Sequence, residues 1–238
     1  MDLKESGILN SKTLYQHWYY RAKSKALLAI IENITPIKIL DIGAGSSIFS
    51  KILLDMSNAT KAICVDISYS KEYTEQYNNK HIEYLKSYGA VDADLVLMMD
   101  ILEHILDDAL FLRDCCSKLR SGTFIVVAVP AFPFLWSDHD IFLEHKRRYT
   151  LVQLEQLLIS NGLTLIKSTY FFGTIFPLAA LIRLGRRFFK PASLPCSDLK
   201  NVHPLINKLL TTICSVEIPL IPYNRFFGLT AFCLVKKP

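Results

Sequence analysis

The sequence predicts an α/β fold, a mostly parallel sheet with helices on both faces, and three observations carry that prediction. First, short continuous apolar runs recur: "IKILDI", "KAICVDI", "HIEYL", "ADLVLMMD" and "TFIVVAVP". Such runs are the pattern of strands buried on both faces. Second, helical patterns lie between several of these runs, and that alternation implies a parallel sheet. Third, acids close three of the runs, namely Asp41, Asp66 and Asp100. Parallel sheets bind ligands beyond the carboxyl ends of their strands, near the switch in strand order.

The elements follow in order. Residues 11–33 read as a helix crowded with aromatics in "YQHWYYRAK", ended by Thr35 and Pro36. "IKILDI" is the first strand, and a helix over "SIFSKILLDM" follows the glycine turn. "KAICVDI" and "HIEYL" are the second and third strands. "ADLVLMMD" is the fourth, followed by a helix over "ILEHILDDALFLRDCCSKL". Ser121 and Gly122 turn the chain into the fifth strand, "TFIVVAVP". After Pro130 comes a polar and aromatic loop, then a helix over "TLVQLEQLLISNG" capped by Thr150, and a strand over "LTLIKSTYFF". Residues 173–224 are apolar, basic and proline-rich, an insertion before a last strand in "GLTAFCLVKK". The expected organisation is one domain: an N-terminal helical lid (1–35), a core (36–172), the insertion (173–224) and the last strand (225–238).

A chain of 238 residues is long enough to bury a core without metals or disulfides. Its hydrophobic fraction of 51% and mean hydropathy of +0.26 are high, which points to a membrane-facing or partner-facing surface. The charged start "MDLKESGILNSK" is no signal peptide. The longest apolar run, in "YFFGTIFPLAALIRLGRRFF", is too short before Arg183 to span a bilayer. Glu217 and two prolines interrupt "LLTTICSVEIPLIP". A cytoplasmic location is expected. Peripheral membrane contact through residues 173–190 stands beside burial of that segment on the domain or in a homodimer. Cys64, Cys115, Cys116, Cys196, Cys214 and Cys233 form no CxxC pair and are expected as free buried thiols. The net charge of +5 gathers at residues 146–148 and at Arg183, Arg186, Arg187 and Lys190. No RNA-binding signature accompanies it, so no nucleic-acid partner is expected.

The turn "DIGAGSSIF" decides the ligand class. A dinucleotide fingerprint needs a third glycine, and Ile48 stands there. Asp66 falls about 20 residues on, where a ribose-binding carboxylate belongs. Asp41 precedes the turn by two residues, where a carboxylate repels a pyrophosphate and favours a cationic ligand. "DIGAG" resembles the first motif, D/E-x-G-x-G, of the class I S-adenosylmethionine-dependent methyltransferases. "CVDIS" and "DLVLMMDILEHILDD" are similar to that family's second strand end and fourth strand with its helix. "HWYYRAK" and "LWSDHDIFLEHKRRYT" resemble a subgroup associated with lipid, quinone or polysaccharide modification.

The resemblance implies a Rossmann-like seven-stranded sheet, mostly parallel with an antiparallel last strand. It implies S-adenosyl-L-methionine as cofactor, bound by Asp41, Gly43, Gly45, Asp66, Ile67 and Asp100. The N-terminal helix becomes a lid carrying Tyr20, with Arg21 or His17 near the methionine carboxylate. One departure is visible: Lys86 and Ser87 stand where the family usually has an acid near the adenine, with Asp92 as a substitute.

Methyl transfer from a sulfonium is an in-line displacement, so the enzyme mainly positions the acceptor and excludes water. A small-molecule or lipid-linked acceptor is expected. No metal-ligand cluster is visible in the sequence. For a hydroxyl acceptor, a base removes a proton, and the candidates are His139, then His145, then His104. Trp136 and Phe134 are expected to wall the acceptor pocket, and Arg147 and Arg148 to bind an anionic group on the acceptor. Plain structural roles stand beside these. Asp100 and Glu103 have the spacing of a capping box. His104 suits packing against the sheet, and the 136–149 stretch suits a solvated loop. Two other functions remain: a non-catalytic cofactor-binding subunit, and a nicotinamide-dependent oxidoreductase, against which Ile48 and Asp41 argue.

Overall fold

Residues Ile39, Leu40, Asp41 and Ile42 are all nearly inaccessible to solvent, so the strand they form is covered on both sides. The computed structural model describes residues 11–189, 197–198 and 202–238. Among these residues one sheet has eight strands: β1 (Lys38–Ile42), β2 (Lys61–Val65), β3 (Tyr73–Tyr77), β4 (Lys80–Leu85), β5 (Leu95–Met99), β6 (Phe124–Pro130), β7 (Thr164–Phe171) and β8 (Thr230–Lys236). Their spatial order is β3-β4-β2-β1-β5-β6-β8-β7. The five strands from β4 to β6 run parallel. β8 lies antiparallel between β6 and β7.

The parallel core and antiparallel last strand agree with expectation, and the strand count is eight rather than seven. The additional strand is β3, an antiparallel partner of β4 at the sheet edge. Asn78 and Asn79 join the pair with φ of 48° and 62°. Two consecutive left-handed residues are what a two-residue hairpin requires, and asparagine tolerates that conformation. "YTEQY" has no fully buried residue, so it lacks the apolar signature of the other strands.

The helices are α1 (Ser11–Gln16), α2 (Trp18–Ile30), α3 (Ile48–Met56), α4 (Asp108–Ser117), α5 (Asp138–Phe142), α6 (Leu151–Ser160), α7 (Phe176–Phe189) and α8 (Pro204–Val216). The single helix expected over 11–33 is divided. His17 is extended and caps α2, accepting from the Tyr19 N–H at 3.4 Å. The helix expected over 101–119 also differs. A 3₁₀ turn at Leu102–His104 ends first, and Asp107 then starts α4 by accepting from the Leu110 N–H at 2.8 Å. The expected capping box does not form. Asp100 has φ of +56°, and neither carboxylate oxygen of Glu103 has a hydrogen bond. Thr150 caps α6 as expected, in a reciprocal box with Gln153.

The strand period of two divides the core. Ile39 faces one cluster with Leu27, Phe49 and Leu53. Leu40 and Ile42 face the other, with Leu112, Leu154 and Leu158. α8 packs on α2. Asn207 accepts from the Trp18 N–H at 2.7 Å and donates to the Gln16 carbonyl at 2.8 Å. Buried Glu217 accepts from the Gly173 and Thr174 N–H groups and so holds the entry to α7.

The five described cysteines are free and buried, and Cys196 lies outside the described residues. So do residues 1–10 of the expected lid, and Lys190. No helix among the described residues is long and apolar enough to cross a membrane.

Asp107, rather than Asp100, is the cap of α4, and its loss is measurable. Asp107→Ala is expected to lower stability by about 1 kcal/mol in urea denaturation, the usual cost of an N-cap.

Candidate active site

The first turn is shaped by glycine and fastened by acids. Gly43 and Gly45 have φ of 71° and 50°. A Cβ on Gly43 would meet Ile101 Cδ1 at 2.5 Å, so no larger residue fits there. Asp66, at the end of β2, accepts from the Gly45 N–H at 2.9 Å and from the Ser68 N–H at 2.9 Å. Tyr69 donates its hydroxyl to the Gly45 carbonyl at 2.8 Å. Asp41 shares a sheet face with Ile39 and therefore points under α3. It is buried and accepts from Ser50 Oγ at 2.7 Å. Burial pushes its carboxyl up to about 6, against the pull of the Ser50 hydrogen bond. Asp41, Asp66 and Asp100 end three adjacent strands, β1 flanked by β2 and β5. These strands end at the point where the strand order reverses across the sheet, while each carboxyl keeps its own partner: Ser50 for Asp41, the Gly45 N–H for Asp66 and Lys23 for Asp100.

α2 reaches this edge through an unanticipated residue. Lys23 is fully buried and pairs with Asp100 while donating to the Tyr19 hydroxyl at 3.1 Å. Burial pulls its ammonium down, but the charge of Asp100 and these bonds outweigh that and hold it above its ordinary value. Arg21 lies on the exposed face of α2 instead. The signal for Lys23 was present, because Tyr20, Lys23, Leu27 and Ile30 form one helical stripe.

A cavity of about 380 Å³ opens beside Asp100, between α2, the end of β6 and α7. Tyr20, Ile175 and Leu178 supply apolar wall, and His104, His139 and His145 all face it. The stretch after β6 is ordered by fully buried Asp140. Asp140 accepts from Arg148 Nε at 2.7 Å and Nη2 at 2.9 Å, and lies 2.9 Å from His145 Nδ1. Burial would raise Asp140, but His145, Arg148 and the Ser137 N–H hold it well below the carboxylate range. Asp140 is therefore ionised, and His145 carries its proton on Nδ1, which leaves Nε2 as the basic nitrogen. His139 differs. Its Nδ1 accepts from the Asp198 N–H at 3.1 Å, and burial, aided by the charge of Arg183, lowers it to about 4.

Glu103, His104 and His145 each bring a ligand atom within 4.8 Å of the others. This set was invisible in the sequence, because His145 returns from a separate stretch. It is able to share a proton or to hold a divalent cation. Burial and the charge of Asp100 keep Glu103 protonated well above the usual range.

The remaining expected residues scatter. Ile67 is 88% exposed beyond β2. Arg147 turns away to Asp108, at 3.1 Å. Trp136 and Phe134 do not line the cavity, whereas Arg148 does. Asp92 pairs with Lys38 and Arg120 at the opposite end of the strands. At the end of β4 an acid does arrive, from elsewhere: Glu72 accepts from the Lys86 N–H at 3.0 Å.

A family model described as a methyltransferase domain matches residues 15–168. The chain belongs to this family. Among curated relatives, this methyltransferase domain is similar to a ubiquinone biosynthesis O-methyltransferase of Shewanella sp. (strain ANA-3), 28% identical over 53% of the chain and 65% of the relative. It is 32% identical to another of that name from Caulobacter vibrioides, over 39% of the chain and 40% of the relative. The matches thus span less than two thirds of those relatives' lengths. Among solved structures, a SAM-dependent methyltransferase from Archaeoglobus fulgidus aligns with a TM-score of 0.50 and 20% identity, over 91% of this chain and 94% of that one. The Burkholderia thailandensis 1,6-didemethyltoxoflavin-N1-methyltransferase aligns with a TM-score of 0.55 and 13% identity, over 92% and 78%. The methyltransferase domain has the fold these structures share.

The raised carboxyl of Asp41 gives a signed pH effect. The folded state keeps the proton to about pH 6 and the unfolded chain releases it near pH 4. Stability therefore falls as pH rises between those values, by about 3 kcal/mol. Asp41→Asn, which retains an acceptor for Ser50, is expected to lack this decline when urea stability is compared at pH 4 and pH 7.

Proposed function

We propose that this protein transfers a methyl group from S-adenosylmethionine to a hydroxyl of a small, largely apolar, lipid-linked acceptor. The observation that carries the proposal is the Asp140–His145 pair at the wall of an apolar cavity that begins at Asp100.

The residues at the strand ends fit the cofactor. The left-handed glycine turn admits close backbone approach, and Asp41, Asp66 and Asp100 suit a ligand with a sulfonium and an ammonium. The same acids disfavour the diphosphate of a nicotinamide cofactor. Asp66 would hold the ribose hydroxyls, with Gly43, Gly45 and Ile67 beside it. Tyr20 and Lys23 would close over the methionine end, Lys23 taking the role expected of Arg21. When bound, S-adenosylmethionine supplies an electrophilic methyl group on a positively charged sulfur.

The chain's own residues do the rest. Tyr19, Tyr20 and Ile175 hold the acceptor and keep water out. His145 accepts the hydroxyl proton at Nε2, and Asp140 stabilises the imidazolium formed. His139, lowered by burial and occupied at Nδ1, is the weaker base.

The acceptor reaches the cavity from a lipid surface. α7 and α8 expose Leu178, Leu181, Leu205, Ile206 and Leu209, with Arg186 and Lys208 on the same helices. An apolar face flanked by cations suits the headgroup layer of an anionic membrane. On this reading the protein works in the cytoplasm, against the membrane.

Purified protein is expected to bind S-adenosylhomocysteine in calorimetry, and Asp66→Ala to abolish that binding. Tight binding of NADH with no binding of the adenosyl ligand would overturn the proposal. His145→Ala is expected to cut turnover on a panel of phenolic and lipid hydroxyls by about 10²–10⁴-fold, with the S-adenosylhomocysteine affinity unchanged. A non-catalytic subunit would produce no S-adenosylhomocysteine with any acceptor. In flotation with phosphatidylglycerol liposomes the protein is expected to rise, and Leu181→Glu with Leu209→Glu to stay behind. Failure to float, with a dimer in size-exclusion chromatography that these substitutions split, would make the face a homodimer contact.

A further inference from the structure

The two arginines expected to bind an anion are already engaged, Arg147 by Asp108 and Arg148 by Asp140. Two others, contributed by the insertion, line the cavity at its α7 wall. Arg183 Nη2 lies 2.8 Å from Asp198 Oδ2, and Arg186 Nη1 lies 3.4 Å from Asp198 Oδ1. The Asp198 N–H donates to His139 Nδ1 at 3.1 Å. Arg183 is anchored as well, since its Nη1 donates to the Leu135 carbonyl at 3.3 Å and its side chain is only 14% exposed.

Charge decides what this cluster lacks. Lys23 is matched by Asp100, and Arg148 by Asp140. Among the described residues Arg183 and Arg186 share one carboxylate, that of Asp198. The cavity wall beside them is apolar, from Ile175, Leu178 and Ile182. For the largely buried Arg183 an unpaired charge in such surroundings is costly, whereas Arg186 remains half-exposed. The guanidinium fork pairs best with a planar or tetrahedral oxyanion. One carboxylate neutralises half of this pair; a phosphate monoester, with about −1.5 to −2 charges, neutralises nearly all of it.

We propose that Arg183 and Arg186 form an oxyanion subsite for the acceptor, and that Asp198 fills it with its own carboxylate in the ligand-free protein. The ligand class is an amphiphile whose phosphate head displaces Asp198 while its apolar body lies along Ile175, Leu178 and Ile182. This deepens the acceptor assignment above and rests on it.

The test is calorimetry on the full chain saturated with S-adenosylhomocysteine, using dodecyl phosphate, inorganic phosphate and dodecyl maltoside. Dodecyl phosphate is expected to bind. Asp198→Asn removes the internal competitor and tightens that binding about tenfold, equivalent to about 1.4 kcal/mol. Arg183→Gln with Arg186→Gln weakens it at least tenfold. Arg186→Gln alone, at a half-exposed position that leaves the fold intact, weakens it several-fold. Dodecyl maltoside, with the same chain and no charge, responds to none of these changes. Inorganic phosphate binds more weakly than dodecyl phosphate; equal affinity would retain the oxyanion subsite and overturn the amphiphile.

Unchanged dodecyl phosphate affinity in both Asp198→Asn and Arg186→Gln overturns the subsite. The cofactor arm is separate. Loss of S-adenosylhomocysteine binding by the unaltered protein, with the phosphate pattern intact, would sink the methyltransferase assignment and leave the subsite standing.

Discussion

A single buried ion pair joins the roof of this protein to its sheet. Lys23 hangs from α2 into an interior with no solvent contact, and Asp100 meets it from the end of β5. The Lys23 charge is not tolerable there alone, because removing Asp100 would leave it unsolvated, at a cost of about 3–5 kcal/mol, whereas Asp100 keeps some solvent contact at the cavity. The pair therefore fixes where α2 sits. α2 in turn carries α8 through Asn207, and Glu217 just beyond α8 holds the entry to α7. The cavity walls are thus consequences of one electrostatic bond. Asp100 can make it because its left-handed backbone turns the side chain at the strand's end.

The two halves of the site are built by different means. At the glycine turn, backbone geometry dominates: left-handed residues, a void that only glycine leaves, and acids bonded to N–H groups. In the cavity, side-chain charge dominates. Asp140 gathers Arg148, His145 and the Ser137 N–H, and its ionisation fixes the tautomer of the imidazole beside it.

What was legible in the sequence follows that division. β1 could be read because a strand covered on both sides is mostly apolar, and the glycines could be read because both take a left-handed φ in the turn. Thr150 was legible as a cap because Gln153 stands three residues on. Asp100 and Glu103 have the same spacing, but a left-handed Asp100 breaks the helix start, and the next acid able to cap is Asp107. β3 was missed because its edge position removes the apolar signal, although the two asparagines marked the turn. Lys23 was missed because a charge within an apolar stripe was not weighed as buried. The convergence of Arg183, Arg186, Asp198 and His139 spans nearly 60 positions, and no local pattern encodes it.

The position of β8 governs the order in which this sheet can be assembled. Residues 230–236 form the plank between β6 and β7, so β7 has no sheet neighbour until they arrive. During synthesis the five parallel strands are available early, while β7 waits for a segment roughly 60 residues downstream. Closing so long a loop is entropically slow. The nascent chain therefore carries an unpaired β7 edge until β8 emerges, and β7 joins the sheet last.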